Sequence, residues 1–227
     1  YQAGHGIGVH ADVGGQIGTF TADRMADKIY TLKLGLEELI QAPVRHVSGI
    51  CSDADWVTAA IDAGYQFTTG GVGFCAMSMP EGLRPEEYKN CESAGECHGL
   101  LPLEMEDRMN PWQTSSGTNW LEHDPDGELV ILSSDNGVRY LSESEYSGNK
   151  TMNYEDVEGF VALIDEALSY IEPGRVNSLY LSFSIGDANW GEETFRQILE
   201  AAQPYIDSGK VEWKTLPEVY DLYMESL

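Results

Sequence analysis

Near the start of the chain a short apolar run meets a histidine, and a carboxylate follows two residues later: Ile7-Gly8-Val9-His10-Ala11-Asp12. In a strand, side chains at i and i+2 share a face, so His10 and Asp12 are expected to point the same way. A neutral imidazole beside a carboxylate is a donor pair for a hydrolytic divalent metal, zinc first among them. Two ligands do not complete such a site. His46 follows Arg45 on a run expected to neighbour the first, where it can act as a third ligand, as an acid–base group or as a packed imidazole. Strand neighbours point to opposite faces, so one of Arg45 and His46 is expected to face the site. Asp187 follows Gly186 after an apolar run and reads either as a base or ligand or as the N-cap of the next helix. His5 is expected in a helix-to-strand turn.

Asn110 to Trp120 joins two indoles to many short polar side chains, among them Asn119. Sugars carry apolar faces and hydroxyl rims, so Trp112, Trp120 and Asn119 suit a glycan. The same tryptophans can instead anchor a long loop to the core. His123-Asp124-Pro125-Asp126-Gly127-Glu128 lacks the full calcium-loop spacing and reads as a turn entering a strand. Gly70-Gly71-Val72-Gly73 lacks the Lys-Ser/Thr of a phosphate loop, which excludes phosphate binding there. No Gly-x-Ser-x-Gly nucleophile elbow occurs.

Among 227 residues, 38 are acidic and 13 basic, giving a net charge of −25. Such a surface repels nucleic acid and anionic membranes. Three explanations compete: solubility, scattered calcium sites, or attraction of a cationic substrate such as a partly deacetylated amino sugar. No apolar run approaches the ~20 residues of a bilayer span, so membrane insertion is not expected. The chain opens on Tyr1 with no leader, which reads as an internal or processed start. Cys51, Cys75, Cys91 and Cys97 form no Cys-x-x-Cys pair, so a zinc knuckle is not expected. Disulfides Cys91–Cys97 and Cys51–Cys75 are expected, the first closing a small polar loop, with four free thiols as the alternative. Asn149-Lys150-Thr151 is a glycosylation sequon that agrees with secretion.

The elements that must position these residues alternate. Met25, Ile29, Leu32, Leu36 and Leu39 recur at helical spacing over 22–41. A strand is expected over Val44–Ile50, and a helix opened by Ser52 to Asp55 and stopped by Gly64. Another strand spans Tyr65–Thr69. Helices are expected over 154–172 and 191–206, strands over Val176–Ser184 and Val211–Lys214, and a capping box, Thr215-Leu216-Pro217-Glu218, opens a terminal helix. This alternation implies one α/β domain over 1–227 with a mainly parallel sheet or barrel. Sites in such folds collect at the C-terminal strand ends, where His10, Asp12, His46, Ser48, Ser184 and Asp187 are expected. Residues 76–146 interrupt the rhythm and read as one insertion carrying a β-hairpin around Asp135-Asn136-Gly137.

Gly4-His5-Gly6-Ile7-Gly8-Val9-His10 resembles the second motif of NodB-type polysaccharide deacetylases (carbohydrate esterase family 4), with Gly14 where that motif places its second histidine. Arg45 and Gly49 match the family's following arginine loop, and Val211 to Tyr223 is similar to its closing strand and helix. The family's first motif is absent. The resemblance implies a distorted (β/α) barrel lacking its first strands. It also implies an extracellular metal-dependent hydrolase that removes acetyl groups from a polysaccharide. In that frame His10 and Asp12 are metal ligands, and Arg45, His46 and Asp187 are catalytic. The alternative is a catalytically inactive carbohydrate-binding or structural module of the cell surface on the same barrel. Oligomeric state is not legible. Independently of function, 38 carboxylates repel one another, and salt screens exposed charges beyond about 10 Å at 0.1 M. The melting temperature is expected to rise as sodium chloride is raised toward molar. A flat or falling curve in a calorimetric scan excludes self-repulsion as a limit on stability.

Overall fold

The computed structural model describes residues 2–14, 18, 20–69, 74–79, 82, 84, 86–93, 96–99, 105–115, 120–132, 154–180 and 192–227. For Asp12, Gly14, Phe74, Cys75, His98, Gly99, Arg108, 154–156 and 192–195 the description covers the backbone alone. The chain is α/β. β1 (Val9–Gly14), β2 (His46–Cys51) and β3 (Phe67–Thr69) pair in parallel, β7 (Leu129–Leu132) pairs in parallel with β3, and β6 (Trp112–Thr114) closes the order β1-β2-β3-β7-β6 antiparallel to β7. A separate two-stranded ribbon joins β4 (Phe74–Cys75) and β5 (His98–Gly99).

Strand periodicity divides the sheet into two faces. Val9, Ala11, Val47, Ile131 and Trp112 belong to one core with Met25 and Ile29 of α1 (Ala22–Ile40) and Val57 and Ala60 of α2 (Trp56–Asp62). Phe67, Val130 and Leu132 belong to a second core with Val219, Tyr220 and Tyr223 of α6 (Leu216–Ser226). All four residues of β7 are buried, as expected for a strand covered on both faces. α3 (Met105–Arg108) contributes Met105 to a cluster with Leu163 and Ala167 of α4 (Tyr154–Ser169). Phe160 and Ile164 of α4 pack with Ile198 and Ala202 of α5 (Glu192–Asp207).

The helix boundaries follow from caps. Thr21 accepts from the Arg24 amide at the start of α1, and Gln41 ends it in the left-handed region at φ 55°. Asp55 caps α2 by accepting from the Thr58 amide and hydroxyl, so the cap lies at the last residue of the expected Ser52–Asp55 stretch. Thr215 and Glu218 form the expected reciprocal capping box of α6. Arg45 makes two bonds to the Asp221 carboxylate, at 2.6 and 3.2 Å, and its guanidinium lies over the Tyr220 ring. It therefore ties α6 to the entry of β2.

Several expectations need correction. β7 is not one arm of an insertion hairpin. Its Leu-Val-Ile-Leu run is apolar on both faces and is drawn into the main sheet, and β6 joins it. Trp112–Thr114 and Leu129–Leu132 of the expected insertion therefore belong to the sheet, and the Asp135-Asn136-Gly137 turn lies outside the described residues. No strand forms over 211–214 or over 176–180. The second half of the expected Val176–Ser184 strand lies outside the described residues. Cys91 and Cys97 form the expected disulfide. Cys51 is also disulfide-bonded, while the side chain of its expected partner, Cys75, lies outside those described.

Trp112 and Trp120 are 6% and 4% exposed, so neither offers a ring face to a sugar. The expectation that they bind substrate is corrected: they anchor the loop. Trp112 Nε1 donates to the Trp120 carbonyl oxygen at 2.7 Å, and Trp120 meets Trp56 edge to face at 5.8 Å. The reason is area. Two indoles bury more apolar surface against the sheet than short polar neighbours can hold in solvent. Among the described residues the Trp120 indole N–H has no hydrogen-bond partner, which costs stability. Trp120→Phe is therefore expected to stay within about 1 kcal/mol of wild type in urea unfolding, because it removes an unsatisfied donor. Trp120→Ala is expected to lose roughly 3–5 kcal/mol. Equal losses for the two variants would show that the N–H and not the ring is what matters.

Candidate functional site

β1 and β2 approach each other across two glycines, and each glycine seats a histidine of the other strand. A Cβ on Gly8 would fall 2.1 Å from Nδ1 of His46, and a Cβ on Gly49 would fall within 2.7–2.9 Å of the His10 ring. Gly49 also has φ +72°, a conformation that favours glycine. His10 pairs with Ser48 in register, and His46 pairs with Phe67. The two imidazoles thus share one face of the sheet with Ser48, Phe67 and Thr69.

Their surroundings differ. His10 is exposed, and its Nδ1 lies 3.1 Å from Ser48 Oγ. With Nδ1 so engaged, Nε2 is the nitrogen left for another partner. His46 is half-buried. Its Nε2 lies 3.0 Å from Thr69 Oγ1, its ring stacks on Phe67 at 5.2 Å, and its Nδ1 faces the Gly8 backbone. Burial, helped by repulsion from His10, lowers the His46 pKa from 6.5 to about 4. His46 is therefore neutral at physiological pH.

The structure brings His10, His46 and Ser48 onto one face; among the described side chains, those of Arg45, Trp112 and Trp120 pack elsewhere. Both imidazoles sit in the N-terminal halves of their strands. His46 is the first residue of β2 and His10 the second of β1, whereas the C-terminal ends were expected to carry them. The correction has a simple cause: Ala11 and Val13 are buried, so β1 continues beyond His10. The Arg45 guanidinium bonds Asp221 and lies over Tyr220, where it ties α6 to the sheet. The backbone of Asp12 lies in β1, but its side chain, together with Asp187, Asn119 and Asn149, lies outside the described residues. Among the described residues no group of three His, Cys, Asp or Glu side chains is placed to hold a metal.

Ser48 and Thr69 complete the hydroxyl partners of the two histidines, and neither was singled out for that role. The signal was present as alternation: His46 and Ser48 stand two apart, and glycines at 8 and 49 mark close backbone approach. No family model, no curated protein and no solved structure matches the chain.

A depressed imidazole pKa has a definite sign in stability. Between the ordinary value of 6.5 and the folded value of about 4, the unfolded chain binds a proton that the folded chain does not. The His46 contribution is therefore whole above pH 6.5, and it falls as pH is lowered toward 4, by at most about 3 kcal/mol. His46→Phe is expected to flatten this part of the pH–stability curve, read by urea unfolding at pH 7.5 and 4.5. An unchanged slope in the variant assigns the dependence to other groups.

Proposed function

We propose that this chain is a polysaccharide deacetylase-like hydrolase domain, secreted or at the cell surface, that removes acetyl groups from an acetylated glycan. The observation that carries the reading is the setting of His10. An exposed imidazole lies over Gly49, with Nδ1 held by Ser48, which leaves Nε2 as the nitrogen for a ligand. A hydroxyl or carbonyl on the far nitrogen is how metal-ligating histidines are ordinarily oriented. The resemblance of Gly4 to His10 to the deacetylase motif points to the same residue. The five-stranded sheet is read as part of a distorted barrel.

The donor set among the described residues fits one ligand of a divalent metal such as zinc and not a complete set. In this proposal Asp12, two residues beyond His10, supplies a second ligand. A bound metal would polarise the acyl oxygen and acidify a bound water. The protein's own part is better defined. Ser48 fixes the ring of His10, and His46 stays neutral on the same face. Cys91–Cys97 and the bonded state of Cys51 agree with an oxidising compartment. Among the described residues no helix is long and apolar enough to cross a membrane.

A second reading, a non-catalytic glycan-binding or structural module, is favoured by one observation: no three-ligand group forms among the described residues. Acetate release from acetylated chito-oligosaccharides and acetylated xylan, measured beside zinc content, separates the two. Under the first reading His10→Ala abolishes both release and metal. Ser48→Ala weakens metal binding roughly 10–100-fold. A chain that binds glycan but releases no acetate with zinc supplied, and binds it equally well as His10→Ala, belongs to the second.

A further inference from the structure

Three aromatic rings are linked by stacking on the α6 side of the sheet. The His46 imidazole stacks on Phe67 with centroids 5.2 Å apart and planes inclined by 25°. Phe67 also stacks on Tyr220 of α6, at 5.1 Å and 24°. Both pairs have the spacing of offset stacking. The Arg45 guanidinium lies over the same Tyr220 ring at 5.3 Å and bonds the carboxylate of the next residue, Asp221. Arg45 immediately precedes His46, so the array leaves the entry of β2, passes through α6 and returns to it.

A hydrogen bond by itself does not fix the His46 ring. Its Nε2 lies 3.0 Å from Thr69 Oγ1, which anchors one atom and leaves the plane free to tilt about it. The terminal torsion of a histidine is broad and roughly two-fold, so the plane is set by what packs on it. Gly8 gives the ring room, because it has no side chain beside Nδ1. Phe67, the register partner of His46, gives it a flat wall. The terminal torsion of a phenylalanine is equally broad, so Phe67 needs a wall of its own, and α6 supplies it as Tyr220.

We propose that Tyr220 is a positioning residue for His46: acting through Phe67, it holds the imidazole plane so that Nε2 stays on Thr69. Docking of the C-terminal helix thereby sets the geometry of a histidine it does not touch. Stacking uses the Tyr220 ring and not its hydroxyl, so phenylalanine can take its place and an aliphatic residue cannot. For the reaction the proposal rests on the hydrolase reading, in which His46 is a catalytic group. For the ring it stands without that reading.

The test is NMR of the full chain with isotope-labelled histidine at neutral pH. In the wild type the His46 ring protons are expected upfield of their unstacked position, with cross-peaks to the Phe67 ring. Tyr220→Leu keeps apolar bulk without a flat face and is expected to return the His46 signals toward the unstacked position. Phe67→Leu is expected to move them the same way, and Tyr220→Phe to leave them in place. His123, whose Nδ1 accepts from the Gln113 amide, is expected to be unmoved in all three, which shows that each variant is folded and the change local. In acetate release, Tyr220→Leu is expected to lower kcat by up to about 100-fold with KM little changed, and Tyr220→Phe to keep wild-type kcat. Unstacked His46 signals in the wild type overturn the proposal even if Tyr220→Leu does not fold. So do His46 signals unmoved in folded Tyr220→Leu, or moved equally in Tyr220→Phe. Moved signals with unchanged kcat overturn the part of Tyr220 in the reaction. A wild-type chain that releases no acetate overturns the hydrolase reading instead, and the NMR still decides what Tyr220 does.

Discussion

Leu129, Val130, Ile131 and Leu132 are all buried, and a strand apolar on both faces is stable only if something covers each side of the sheet. α1 and α2 supply one cover from amphipathic residues local in sequence. The other cover comes from α6, far along the chain, held to the entry of β2 by the Arg45–Asp221 pair. That pair is partly exposed, and such pairs contribute on the order of 1 kcal/mol or less. The apolar contacts of Phe67, Val130 and Leu132 with Tyr220 and Tyr223 therefore do most of the holding, while the ion pair sets where α6 sits.

The unequal covering explains where chemistry can occur. On the α1–α2 side the core is continuous, and even the tryptophans of the long loop are drawn into it. Among the described residues the cover on the α6 side is incomplete, and the polar residues of the sheet collect there: His10 with Ser48, and His46 with Thr69. The two imidazoles lie on adjacent strands yet have different fates. His10 sits at an exposed position with Nδ1 on Ser48. His46 is enclosed by Phe67, Thr69 and Gly8, and enclosure removes its charge. A chemical asymmetry between two residues of one type thus follows from a difference in burial.

The glycines make that arrangement possible. Side chains at 8 and 49 would collide with the rings of His46 and His10, so the strands can carry large imidazoles on one face only because each lacks a Cβ opposite its neighbour's histidine. The feature is reciprocal, and neither half is visible without the register that pairs His10 with Ser48.

The local elements were legible in the sequence, because caps and helical periodicity act within a few residues. Thr21, Asp55 and Thr215 mark helix starts, and the apolar spacing of α1 marks its buried side. The α/β alternation and the Cys91–Cys97 loop are of the same kind. What tertiary structure alone decided was non-local. A run such as Leu129–Leu132 reads equally as a hairpin arm or a buried strand, and pairing with β3, some sixty residues earlier, settles it. The tryptophans looked as suited to sugar as to the core, and the area available beside Trp56 placed them in the core. Nothing local in the sequence shows that Arg45 pairs with Asp221, 176 positions away. His46 has an ordinary imidazole in the sequence, and only its enclosure makes it a neutral one. Propensity and capping are short-ranged, whereas burial and charge pairing depend on residues that folding brings together.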